Sequence, residues 1–267
     1  MQTKTFDRSE GSIAYDDYGG SGDVVLMLPG LGALRDEYRL LAPTVSEAGF
    51  RAVTADLRGH GDSSANWPAY DVPSVGRDIL ALIEHLGVDA AHLVGTSFSP
   101  GAIVWASAEK PDAVKSMTLI GAFVRDASPS LIQRIALAVM LNGPWKVLAW
   151  TTYYKSLYPS QKPDDFDAYL SKLSANFKEP GRFAAAKGLT DCSRMPSEER
   201  LGKVDKPTLV VMGTKDPDWP DSTAEARFIA EKTGGQLVLI EGAGHYPQME
   251  MPDQTNPQII EFLKQVS

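Results

Sequence analysis

Up to about residue 120 the chain alternates short apolar runs with amphipathic segments, and that alternation constrains its fold more than any other feature. Val24–Leu28 is apolar throughout and ends at Pro29-Gly30, the pattern of a strand buried on both faces. Arg35–Ala48 is expected to be a helix closed by Gly49, and Arg51–Ala55 the next strand. Val75, Ile79, Leu82, Ile83 and Leu86 recur at helical spacing and stop at Gly87. Ala91–Gly95 and Lys115–Ile120 are further strands, and the helix expected between them over Phe98–Lys110 ends at Pro111. Strands joined through helices pair in parallel, so a parallel α/β sheet is expected, with residues 3–8 and 11–18 as an antiparallel hairpin at its edge.

From Ala122 to Lys206 the alternation gives way to helical segments between breaks at Pro129, Gly143-Pro144, Pro159, Pro163 and Pro180-Gly181. Strand patterns return at Pro207–Met212 and Gln236–Ile240, with helices expected over Ser222–Lys232 and Asn256–Val266. The chain therefore divides into a core of residues 1–121 and 207–267 and a helical insertion of residues 122–206. With 43% hydrophobic and 22% charged residues it can fill such a core, which excludes a disordered or fibrous chain. A net charge of -8 gives no attraction to nucleic acid or to an anionic membrane. Cys192 is the only cysteine, so neither an internal disulfide nor a thiolate zinc cluster can form, and an inert thiol is expected. The first ten residues carry charges where a secretory signal is apolar, and no run reaches ~18 apolar residues. A cytoplasmic protein is expected; oligomeric state is not fixed by these features.

The segment from Ala91 to Gly101 runs as a hydrophobic strand through Ser97 directly into a helix. A serine in such a turn projects beyond the strand end, and the close approach of strand and helix requires small residues two positions to either side. Gly95 and Ser99 supply them, although the usual second glycine of G-x-S-x-G is here a serine. Pro100 is tolerated because first-turn N–H groups have no intrahelical partner.

With this segment the chain resembles the α/β-hydrolase superfamily over nearly its whole length. The resemblance implies an α/β-hydrolase fold, a mostly parallel eight-stranded sheet with helices on both faces and a helical cap insertion. It also implies a triad in the order Ser, Asp or Glu, His. Ser97 would be the nucleophile, Asp216 the acid after the Pro207–Met212 strand, and His245, within Gly242-Ala243-Gly244-His245-Tyr246-Pro247, the base. Of the other histidines, His85 falls on a surface helix, His92 starts a buried strand, and His60 belongs to Asp56–Ser63, a loop that is usually structural in the superfamily. Asp218, Asp221 and Asp126 are rivals to Asp216. The backbone N–H groups of Leu31 and Phe98 would form the oxyanion hole, though Pro29-Gly30 stands where the superfamily often has His-Gly.

A serine hydroxyl is a weak nucleophile unless a neutral imidazole takes its proton. The resemblance therefore implies a serine hydrolase working through an acyl-enzyme on a small to medium, mainly apolar ester, thioester or lactone, with no cofactor or metal. A small-molecule substrate is the partner implied. Serine at position 97 argues against haloalkane dehalogenases and epoxide hydrolases, which use aspartate there. The same triad also serves carbon–carbon bond hydrolases, enol-lactonases and hydroxynitrile lyases, and a small-molecule receptor on the same fold is a further alternative. Trp145, Trp150, Tyr154, Trp219 and Tyr246 are candidates for the substrate pocket, while most aromatic residues of the insertion are expected to form its own core. An acidic limb of activity is expected between roughly pH 5.5 and 7.5.

Overall fold

A computed structural model of the protein describes residues 2–126, 135, 138–139 and 141–267. Eight strands form one sheet: β1 (Lys4–Arg8), β2 (Gly11–Asp17), β3 (Val24–Leu28), β4 (Arg51–Ala55), β5 (Ala91–Thr96), β6 (Val114–Ile120), β7 (Thr208–Gly213) and β8 (Gln236–Ile240). Their spatial order is β1-β2-β4-β3-β5-β6-β7-β8. β1 pairs antiparallel with β2 and β2 with β4, and every other pairing is parallel, as the edge hairpin and the alternating pattern predict.

Side chains alternate across a strand, so the all-apolar β3 feeds two cores at once. Val24, Leu26 and Leu28 pack with α2 (Val72–His85) through Ile79 and Leu82, and with α3 (Ser99–Glu109) through Ile103. Val25 and Met27 face Leu41 and Val45 of α1 (Leu41–Glu47) and Ile259 and Phe262 of the helix Pro252–Gln265. The helix Ser222–Thr233 covers the first of these faces with Ala226 and Ile229.

The segment Arg35–Ala48 is not one helix. Arg35–Tyr38 forms a tight 3₁₀ turn and α1 begins afresh at Leu41. A continuous helix would put Pro43 in its interior, where the ring collides with the preceding turn; restarting at Leu41 moves Pro43 into a first turn. α2 starts earlier than its apolar spacing indicates because Asp71 caps it, accepting the Ser74 N–H at 2.7 Å.

Between β6 and β7 lie the helices Lys146–Ser156, Phe166–Lys178, Arg182–Asp191 and Met195–Leu201. Pro129 lies outside the described residues. Trp150, Tyr154, Leu157, Tyr158, Phe166, Tyr169, Leu173, Phe177 and Phe183 form an aromatic cluster of their own, closed against Ala33, Leu34, Tyr246 and Met249. Leu201 and Val204 join the core beneath α3 instead. Among the described residues no helix is long and apolar enough to cross a membrane.

Candidate active site

Because β3, β5, β6, β7 and β8 run in parallel, the loops that follow them emerge at one edge of the sheet, where open α/β sheets carry their sites. Ser97 follows β5 with φ 60°, the only non-glycine residue at positive φ among the described residues. Its N–H donates to Ile120 O at 2.9 Å and its carbonyl accepts the Phe123 N–H at 2.9 Å. The turn is thus held on one side by the last residue of β6 and on the other by the segment that follows it. Gly30, after β3, approaches so closely that a Cβ there would stand 3.0 Å from Ser97 Cβ and 3.1 Å from the Tyr246 hydroxyl.

His245, 1% exposed, follows β8. Its Nδ1 lies 2.7 Å from Asp216 Oδ2, so in the neutral imidazole Nδ1 bears the proton and Nε2 keeps the lone pair. Nε2 is buried without a hydrogen-bond partner among the described residues. The His245 N–H donates to Leu157 O at 3.0 Å, and the neighbouring Gly244 N–H to Glu250 Oε2 at 2.6 Å. Phe123 links the two halves of the site, since its N–H holds Ser97 while its ring meets the His245 ring edge-on at 5.9 Å.

The rival acids are separated by their partners. Asp126 accepts from Ser193 Oγ at 2.6 Å and the Arg194 N–H at 2.5 Å, and Asp221 caps the helix Ser222–Thr233. Asp218 approaches the imidazole, with Oδ2 3.7 Å from Nδ1, while its Oδ1 accepts the Tyr153 hydroxyl at 2.6 Å. Burial pushes the Asp218 carboxyl up. Burial also acts to lower His245, but the Asp216 and Asp218 carboxylates outweigh it and push the imidazole up to about 9. Asp216, Asp218 and His245 each offer a ligand atom within 4.8 Å of the others, but the Asp216–His245 hydrogen bond already occupies the inner pair.

Leu31 and Phe98 sit on the loops flanking Ser97, and neither N–H has an acceptor among the described residues. Of the pocket candidates, Tyr246 meets His245 edge-on at 4.9 Å, and Trp219 packs at a tilt on Phe123 with ring centroids 4.6 Å apart. Trp150 donates its indole N–H to Gly32 O at 3.3 Å, and Tyr154 is buried against Tyr158, Tyr169 and Tyr246. Trp145 is not brought to them: it is 50% exposed and lines an open surface groove with Leu148, Thr152 and Ser156.

Sequence reasoning missed Glu37. It is fully buried, accepts the Gly30 N–H at 3.0 Å and the Gln248 amide at 3.0 Å, and burial pushes its carboxyl up to about 7. No motif marks it. Also unforeseen is the Ser99 hydroxyl, which donates to Pro29 O at 2.5 Å.

A family model of the alpha/beta hydrolase fold matches residues 23–252. The chain is 25% identical to 2-hydroxy-6-oxononadienedioate/2-hydroxy-6-oxononatrienedioate hydrolase 1 of Pseudomonas putida, over 94% of this chain and 92% of that protein. It is 24% identical to the bifunctional esterase/perhydrolase DCH of Acinetobacter calcoaceticus, over 94% and 96% of the two chains. The crystal structure of the esterase RhEst1 from Rhodococcus sp. ECU1013 has the same fold, with a TM-score of 0.83 at 22% identity and 100% coverage of both chains. The family match runs through every strand end that bears a site residue, from Gly30 to His245, and by it the chain belongs to the alpha/beta hydrolase fold family.

Proposed function

We propose that the protein is a serine hydrolase that forms an acyl-enzyme on small to medium, mainly apolar esters, thioesters or lactones. Ser97 attacks the carbonyl carbon, His245 Nε2 takes its proton and later returns it to the leaving group, and Asp216 holds the imidazole in the required tautomer. The N–H groups of Leu31 and Phe98 receive the oxyanion, each worth about 3 to 4 kcal/mol of barrier. Residues 122–206 act as a cap; in support, Leu157 O holds the His245 N–H and Trp150 reaches Gly32 O. Trp219 and Tyr246 border the substrate.

One observation carries this reading: a serine at φ 60° shares a sheet edge with a buried histidine whose Nδ1 is committed to a carboxylate. Nothing in packing alone requires either. The test is fluorophosphonate labelling of the purified protein, with mass spectrometry to locate the adduct, alongside a screen of short- and medium-chain esters, thioesters and lactones. An adduct on Ser97 and turnover in the screen are expected; absence of both would reject the reading. A second reading, carbon–carbon bond hydrolysis by the same residues, is favoured by the likeness to the Pseudomonas putida hydrolase. Labelling with turnover of a vinylogous 1,5-diketone and of no ester would select it.

A further inference from the structure

The loop Pro29–Gly32 is pinned at each of its peptide planes. The Pro29 carbonyl accepts the Ser99 hydroxyl at 2.5 Å, and on the same plane the Gly30 N–H donates to Glu37 Oε2 at 3.0 Å. The Gly30 carbonyl accepts the Ala33 N–H at 3.1 Å. The Gly32 N–H donates to His60 Nε2 at 3.0 Å, and beyond it the Gly32 carbonyl accepts from Trp150. In a trans peptide the C=O and N–H point in opposite directions. A Gly30 carbonyl turned into its own loop therefore sends the Leu31 N–H the other way, and that N–H is the one donor of Gly30, Leu31 and Gly32 without an acceptor among the described residues.

We propose that Ser99, Glu37 and His60 form a three-point clamp that aims the Leu31 N–H at the oxyanion, so that all three are positioning residues for catalysis. The inference rests on the hydrolase reading above. Its members come from three separate stretches of chain, and each is buried. Glu37 is held from behind by the Gln248 amide, which also reaches Thr96 Oγ1 at 3.2 Å. His60 turns Nδ1 to Arg58 O at 3.0 Å, which fixes the proton there and leaves Nε2 as acceptor. Burial holds His60 down to about 4, so the acceptor persists at neutral pH. The clamp also gives a use to the serine at 99, where the superfamily pattern has glycine, because only a side chain there can reach the Pro29 carbonyl.

The test compares wild type with Glu37→Ala, Glu37→Gln, His60→Ala and Ser99→Ala, each checked for folding by circular dichroism and melting. Two quantities are read: kcat and KM on a responsive ester, and Ki for an alkyl trifluoromethyl ketone, whose adduct with Ser97 carries an oxyanion. Displacing one donor should cost about 10²-fold in kcat with KM little changed. Ki should rise by the same factor in Glu37→Ala and His60→Ala, and by a smaller one in Ser99→Ala. Glu37→Gln, which keeps an oxygen for the Gly30 N–H, should restore both quantities most of the way. A fall in melting temperature with Ki unchanged in the folded protein would overturn the clamp, and so would a Glu37→Gln variant as impaired as Glu37→Ala. If Glu37→Ala does not fold, Ser99→Ala and His60→Ala decide by the same comparison. A wild type that neither labels at Ser97 nor hydrolyses an ester defeats the hydrolase reading itself; a wild type that does both, with variants whose Ki is unchanged, defeats the clamp alone.

Discussion

Tyr153 donates its hydroxyl to Asp218 across 2.6 Å, and so joins the helix Lys146–Ser156 to the turn that bears Asp216. Asp218 stands in turn 3.7 Å from His245 Nδ1, which makes it a second negative charge on the imidazole. In the proposed mechanism the base must be neutral to accept the Ser97 proton, and the two carboxylates hold His245 up at about 9 against burial, with Glu37 adding a further charge. kcat/KM should therefore climb with pH toward about 9, above the neutral window that the sequence suggests. Asp218→Asn removes one charge and should move the limb toward neutrality. Tyr153→Phe removes a hydrogen bond that favours ionised Asp218 and should move it the same way by less. Profiles of kcat/KM on a neutral ester that superimpose for all three proteins would show that Asp218 does not govern the base.

Ser97→Ala and His245→Ala should each fold and lose about 10⁴- to 10⁶-fold in kcat, and the double variant should be no worse, because the two groups act as a unit. Asp216→Asn should lose less if Asp218 can take over at Nδ1. Adding Asp218→Asn should then deepen the loss sharply. Steady-state kinetics on the five variants and the wild type checks both points, and near-wild-type turnover in folded Ser97→Ala would refute the nucleophile.

His60 and Glu37 should impose opposite pH dependences on stability. The folded state lowers His60 from 6.5 to about 4, so its contribution is present above 6.5 and is lost as pH falls through 4. It raises Glu37 from 4.5 to about 7, so that contribution is present below 4.5 and is lost as pH rises through 7. Each amounts to on the order of 3 kcal/mol and the two offset each other in the wild type over the shared range. Glu37→Gln should therefore melt progressively lower on acidification, and His60→Gln progressively higher. Melting temperatures that run in parallel for all three proteins would contradict these assignments.

Glu250 accepts the Ser160 N–H at 2.6 Å, the Gln161 N–H at 3.2 Å and the Gly244 N–H at 2.6 Å. Glu250→Ala leaves three part-buried or buried donors unpaired, one of them next to His245, and should cost on the order of 3 kcal/mol. Chemical denaturation measures the stability loss, and kcat should fall more than KM rises.

The placement of Ser97 in a strand-to-helix turn was legible because the strand, turn and helix are spelled out within eleven consecutive residues, and the strand-end positions of Asp216 and His245 because each closes a strand pattern. Glu37 was not, since its role depends on a 3₁₀ turn folding back on the end of β3 and on Gln248, far along the chain. The division of the aromatic residues followed the same limit. Trp145 and Trp150 lie five positions apart in one region, yet one is half exposed and the other is buried against Gly32, because three-dimensional packing and not local pattern decides which is covered.

The backbone at Ser97 puts a standing tension at the middle of the sheet edge. A left-handed φ costs an ordinary side chain about 1 to 2 kcal/mol that glycine escapes. Ser97→Gly should thus melt higher than the wild type, whereas Ser97→Ala keeps the strain. Judged by durability alone, glycine would hold that corner of the sheet better than serine does.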